Sequence, residues 1–385
     1  MTYTLSPIPD VPPRVRRPWA LIAVALILVA ALLGPAVAQQ PSGYDPAIAG
    51  MMAQMTSDTL LRYVSELSGE TVVYLGNPPA PETLMTRYSR SPGVDKAAQY
   101  LVEFYQRIGL DVEVPRFGDG DRPNVIATLP GATEPDKIVI LCAHFDSITD
   151  QPMTWAPGAD DNASGTAALM AAAEILRNYP FAYTIRFAHF SGEEQGMLGS
   201  KAYAQLQRAA NANIVGVVNL DMLAWNSDAA PIMELHAGVR GDSFNLAAAF
   251  AGVIAEYGLP LQPQIKQSDS ISASDHSSFW TYDYPAVLAI EDWDDFNAHY
   301  HTTSDRMSAF DVPYFTALAR ASLGTIAVLA YRVGEPTRTV TPTRTPKPTA
   351  TPTRTPTPGP TATPTPTRMP LPYRLNFPFV MLGWL

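Results

Sequence analysis

The run KIVILCAHFDS (137–147) restricts this chain more than any other stretch. It is strand-length and apolar at successive positions rather than alternate ones, so both of its faces must be covered, as in an interior strand of a parallel sheet. A parallel neighbour has to be reached by a crossover, usually a helix. The sequence supplies that alternation. NVIATLPG (124–131), YTIRFAHF (183–190), NIVGVVNLDM (213–222) and AVLAIED (286–292) read as further strands. Between and around them VDKAAQYLVEFYQRIG (94–109), SGTAALMAAAEILRNY (164–179), GSKAYAQLQRAA (199–210), SFNLAAAFAGVIAEYG (243–258) and VPYFTALARASLGTIAVLAYRVG (312–334) read as helices. The second of these opens on Ser164 as its expected cap. The expected fold is an α/β three-layer sandwich, with helices flanking a central mixed, mostly parallel sheet.

Both ends of the chain differ from this body. Arg14, Arg16 and Arg17 precede the apolar run WALIAVALILVAALL, and AVA (36–38) supplies a small-residue cleavage pattern, so 1–38 is read as a signal peptide, with an uncleaved membrane anchor as the competing reading. Residues 39–57 are expected to be a short propeptide or a flexible start, and 58–334 the globular domain. After Glu335 lie 13 of the 37 prolines, interleaved with threonine, so 335–370 is an extended linker. The apolar end, 371–385, is too short to span a bilayer and is read as a surface-retention or sorting tail. These features place the protein outside the cytoplasm, secreted or at the cell surface, with cell-surface association through the tail or an uncleaved leader. The single cysteine, Cys142, forms no internal disulfide.

Charge narrows the partners. The net charge is −10, yet the segment through Gln40 carries +2 and the segment from Pro336 carries +6, which leaves −18 between them. Such a body is unsuited to nucleic acid, which needs a basic surface. It suits a cation site built from carboxylates.

The polar clusters share one address. AHFDS (143–147), FSGEEQG (190–196) and NLDM (219–222) each follow or end a strand, and ligands of open α/β sheets bind beyond the carboxyl ends of strands. GADDNASG (158–165) and NAHYHTTSD (297–305) add more acids and histidines. Histidine, aspartate and glutamate without cysteine make a nitrogen and oxygen site suited to zinc, manganese or cobalt. His144, Asp160 or Asp161, one of Glu193 and Glu194, Asp221, and one of His299 and His301 are enough for two ions joined by a bridging carboxylate. The other glutamate is then free to act as a general base.

In this order A-H-F-D-S, G-A-D-D-N-A-S-G, S-G-E-E-Q-G-x-L-G-S, N-L-D-M, S-D-H and Y-H-T-x-S-D resemble the co-catalytic dizinc aminopeptidase family, which includes the bacterial leucyl aminopeptidases and the aminopeptidase S and Y types. The resemblance implies the zinc-dependent exopeptidase fold, two zinc ions, and peptide substrates with a free N-terminus. It makes His144 and Asp221 ligands of one zinc, Glu194 and His301 ligands of the other, and Asp160 the bridge. Glu193 becomes the general base, and Asp146 the carboxylate that orients His144 from behind. Asp161 is then read as a turn residue or one that supports the site from behind the ligands, and Asp305 either orients the His301 loop or caps the next segment. The expected activity is hydrolysis of N-terminal residues. The alternatives are a glutaminyl-cyclase-type zinc acyltransferase, which looks similar around the metal, and a non-catalytic binding relative. His189, His236, His276 and His299 are read as core, structural, pocket-wall or surface residues. Met222, Trp225, Phe279, Trp280, Tyr282 and Trp293 are candidates for an apolar pocket.

Overall fold

The computed structural model describes residues 43–118 and 121–331. The expected leader (1–38), the Pro/Thr linker (335–370) and the apolar tail (371–385) lie outside the described residues. Along the chain come helices α1 (Pro46–Gln54) and α2 (Ser57–Leu67), the antiparallel pair β1 (Val73–Leu75) and β2 (Ala80–Glu82), and helix α3 (Gly93–Arg107). Strands β3 (Asp111–Glu113), β4 (Arg116–Phe117), β5 (Arg122–Pro123), β6 (Val125–Leu129) and β7 (Glu134–His144) follow. The rest alternates: α4 (Gly165–Leu176), β8 (Tyr183–Phe190), α5 (Leu198–Ala209), β9 (Asn213–Leu220), β10 (Ile232–His236), α6 (Gly241–Glu256), β11 (Gln262–Lys266), α7 (His276–Thr281), β12 (Ala286–Glu291) and α8 (Val312–Leu329).

Eight strands form one sheet in the order β11-β10-β12-β9-β7-β8-β6-β3. Pairings β10–β11, β12–β9, β9–β7 and β7–β8 are parallel, and β10–β12, β8–β6 and β6–β3 are antiparallel. The doubly apolar run at 137–147 becomes the centre of this sheet. Val139, Leu141 and Ala143 enter the larger core, shared with α1, α2, α4, α6 and α8, while Ile138, Ile140 and Cys142 enter a second core with Tyr203 of α5 and Phe279 of α7. The three-layer α/β sandwich read from the alternation is the observed fold.

Two local expectations are corrected. Of the two readings of 39–57, the flexible start does not hold for Pro46–Gln54, which form α1 with Met51 and Met52 buried in the larger core, while a short propeptide is compatible with such a helix. Asp45 accepts from the Ala47 N–H at the start of this helix, and Pro46 presets its first turn. Gly324 of α8 leaves room for it, since a Cβ there would lie 2.9 Å from Met52 Sδ. Ser164 does not cap α4. Asn162 does, accepting from the Gly165 N–H at 2.9 Å, while the Ser164 hydroxyl donates to Asp160 O.

Candidate metal centre

Strands β7, β8 and β9 are mutually parallel, so the residues that follow them emerge at one edge of the sheet. His144 ends β7, Glu193 and Glu194 follow β8, and Asp221 follows β9. The loop entering α4 delivers Asp161, and the loop between β12 and α8 delivers His301. His144 Nε2 lies 3.1 Å from Asp161 Oδ1 and 3.2 Å from Asp221 Oδ1. His301 Nε2 lies 3.2 Å from Asp161 Oδ2 and 2.9 Å from Glu194 Oε2. The donor atoms of His144, Asp161 and Asp221 lie within 4.8 Å of one another, and so do those of Asp161, Glu194 and His301. The two groups share Asp161, one carboxylate oxygen facing each.

The shared position is therefore held by Asp161, not by Asp160 as the sequence suggested. Adjacent acids in a loop face different ways, and the surroundings decide which turns inward. The Asp160 carboxylate faces away from both groups, accepting from the Ala224 N–H at 2.9 Å and from Asn297 Nδ2 at 2.8 Å. The other four expected ligands, His144, Asp221, Glu194 and His301, each fall in one of the two groups. Glu193 lies beside Glu194, and its N–H donates to Asp146 Oδ1 at 3.2 Å. Asp146 stands behind His144 through its backbone oxygen, 3.1 Å from Nδ1, with its carboxylate at 3.7 Å.

His144, Asp221 and His301 are braced by neighbours. The Thr166 hydroxyl donates to His144 O, and the Ser274 hydroxyl donates to Asp221 Oδ2 at 2.6 Å. Ser274 is itself held by Asn219 Nδ2 at 2.7 Å. Tyr300 stacks on His301 with ring centroids 3.6 Å apart. Arg87 is fully buried beneath the centre, and burial pulls its guanidinium down to about 10 against the pull of nearby Asp305, Asp146, Asp161 and Glu194, so it stays cationic at neutral pH. Ser274 and Tyr300 stand inside the S-D-H and Y-H-T-x-S-D motifs, whereas Arg87 is brought in only by the fold.

The electrostatics ask for a cation. Asp161, Glu194 and Asp221 converge on two imidazoles, and among the described residues no lysine or arginine forms an ion pair with them. Burial works against charge on His301, but the Asp161 and Glu194 carboxylates, 3.2 and 2.9 Å from Nε2, prevail and carry its pKa up to about 10. Burial also opposes charge on His144, yet the Asp221 carboxylate and the hydrogen bonds around it raise its pKa. Burial and the nearby Asp161 carboxylate push Glu194 up to about 8, and burial pushes Glu193 up as well. Without another cation the imidazoles must hold protons to balance the acids. Divalent ions would replace those protons and satisfy Glu194 Oε1, which is buried with no hydrogen-bond partner among the described residues. The donors, all nitrogen and oxygen, fit zinc, manganese or cobalt.

The other flagged side chains have local partners. His189 is buried against Tyr105 Oη at 2.6 Å. His236 pairs with Glu234 at 2.8 Å, His276 contacts Ile271 O at 3.1 Å, and the His299 ring meets Trp225 edge-on. None of the four belongs to either donor group. Phe279 is core, and Trp280 and Tyr282 pack beside it. Met222 instead joins Ile271, Phe296, Leu288 and Ile290 in a small apolar cluster next to Asp221. Trp293 contacts Phe296, which contacts Tyr300.

Known proteins resemble this chain over most of its length. Leucine aminopeptidase 1 of Emericella nidulans is 26% identical over 312 residues, covering 76% of this chain and 75% of that protein. The LapA aminopeptidase of Legionella pneumophila superposes with a TM-score of 0.65 at 19% identity, covering 79% of this chain and 80% of that one. The glutaminyl cyclase of Fimbriiglobus ruber superposes with a TM-score of 0.56 at 22% identity, covering 71% and 95%. At these identities the structural likenesses speak for the fold alone. The sequence pattern described as Peptidase family M28 matches residues 124–326, a span of more than half the chain that includes every donor named above. On that match the chain belongs to peptidase family M28.

Proposed function

We propose that the protein is an extracytoplasmic zinc aminopeptidase that removes N-terminal residues from peptides. The observation that carries the proposal is the pair of donor groups joined by Asp161. His144, Asp221 and one oxygen of Asp161 would hold one zinc ion, and Glu194, His301 and the other oxygen a second. When bound, such ions polarise a scissile carbonyl and lower the pKa of water. Glu193 is the base: its carboxylate takes the proton of the attacking water and gives it to the nitrogen of the leaving amine. Asp146 keeps His144 oriented and fixes the Glu193 backbone. The carboxylates around the centre favour a substrate whose α-amino group is free and positive. The apolar cluster of Met222, Ile271 and Phe296 adjoins Asp221 and, through Tyr300, His301, which favours an apolar first residue. Export rests on the leader sequence, and retention at the cell surface on the linker and tail.

The test is hydrolysis of amino-acid p-nitroanilides by the purified protein, before and after chelation, with zinc, manganese or cobalt restored. N-acetylated substrates and N-terminal glutaminyl peptides run in parallel. Chelator-sensitive cleavage confined to free-amine substrates is expected. Release of ammonia from glutaminyl peptides without hydrolysis of the panel would replace the proposal with a cyclase.

A further inference from the structure

The loop that delivers Asp161 is gripped from two sides, by the Arg87 guanidinium and by Asp305. Arg87, 0% exposed, donates from Nη1 to Pro157 O at 2.7 Å and from Nη2 to Gly158 O at 2.8 Å. The same guanidinium reaches Phe145 O at 2.7 Å, the residue between His144 and Asp146, and Leu67 O at 2.7 Å. Asp305, 2% exposed, takes the next three amides: Ala159 N–H donates to its backbone oxygen at 3.2 Å, Asp160 N–H to Oδ1 at 2.9 Å and Asp161 N–H to Oδ2 at 3.0 Å. The guanidinium thus holds two consecutive carbonyls, the Asp305 carboxyl group two consecutive amides, and the Asp305 backbone oxygen the amide before them. The turn between them leaves no room for a side chain. Gly158 has φ +48°, and a Cβ there would lie 2.3 Å from Asp161 O and 3.0 Å from Arg87 Nη2. Neither Arg87 nor Asp305 belongs to a donor group.

We propose that Arg87 and Asp305 are positioning residues, a two-sided clamp that fixes the Asp161 carboxylate in its shared place before any metal arrives. Through Phe145 the clamp also ties that loop to the segment carrying His144, and through Asp305 to the segment carrying His301. The proposal rests on the metal-holding role of Asp161 proposed above. The guanidinium reaches four carbonyls, and a lysine, with one compact ammonium, cannot reproduce that fork.

The test is zinc titration of the chelator-stripped full-length protein and of Asp305→Asn and Arg87→Lys, with the cobalt-substituted absorption spectrum as a second readout and unfolding midpoints recorded for each. Met51→Ala, a core truncation remote from the site, serves as a control for lost stability. Zinc affinity of the clamp variants is expected to fall by about 10–100-fold, the cost typical of removing a partner that orients a ligand. Their cobalt bands should shift, while Met51→Ala binds and absorbs as the wild type does. Wild-type affinity and spectrum in a folded Asp305→Asn would overturn the clamp, as would an equal loss in the Met51→Ala control. If Arg87→Lys does not fold, Asp305→Asn decides alone. Wild-type protein that takes up no zinc would instead overturn the metal centre itself.

Discussion

Glu193 and Glu194 are neighbours with different surroundings: Glu194 Oε2 lies 2.9 Å from His301, whereas Glu193 belongs to neither donor group. Replacing Glu193 by Gln is therefore expected to leave zinc content unchanged and to lower kcat by about 10²–10⁴-fold, the usual worth of a positioned base. Turnover close to wild type, measured together with zinc content, would remove it from that role. His189 yields a prediction about stability. Burial lowers its pKa from the ordinary 6.5 to about 3, so on acidification the unfolded chain takes the proton first. The stabilising contribution is complete above pH 6.5 and is lost as pH falls from there toward 3, a few kcal/mol in all. His189→Gln keeps an acceptor for Tyr105 and removes the titration, so its unfolding midpoint should fall less steeply between pH 7 and 4 than the wild type's. Parallel curves would contradict the assignment. The choice between Asp160 and Asp161 lay beyond the sequence because it is made by residues far along the chain, Ala224, Asn297 and Asp305.

The strands and helices read correctly are those with long periodic or uniformly apolar runs, such as β7, β8, α6 and α8. Apart from α2, whose 11 residues bury Leu60, Tyr63, Val64 and Leu67 on one face, the elements not read are short or weakly patterned. Strands β10 and β11 have five residues each at one edge of the sheet, β11 is mostly polar, and α7 has only six residues. Helix α1 is hard to read because it is short and buries only Ile48, Met51 and Met52. Its packing is testable: Met51 is fully buried, so Met51→Ala is expected to cost about 2–5 kcal/mol in chemical denaturation. A loosely attached start would lose almost nothing.

Across the whole body the acids of the centre are crowded into a segment that already carries a net −18 between the basic ends of the chain. Bound ions should therefore contribute to folding as well as to chemistry. A metal present at a thousand times its Kd adds about 4 kcal/mol, so chelation should lower the unfolding temperature by several degrees and zinc should restore it. An unchanged midpoint would show that the centre folds without ions. The donor types and strand ends were legible in the sequence because they are local, and the shared carboxylate was not because it depends on the assembled fold. The most direct measurement is the zinc content and aminopeptidase turnover of Asp161→Asn beside Asp160→Asn. Asp161→Asn should lose both ions and activity, and Asp160→Asn should keep about two ions and measurable turnover. The reverse result, with Asp161→Asn fully loaded and Asp160→Asn empty, would contradict a centre built around Asp161.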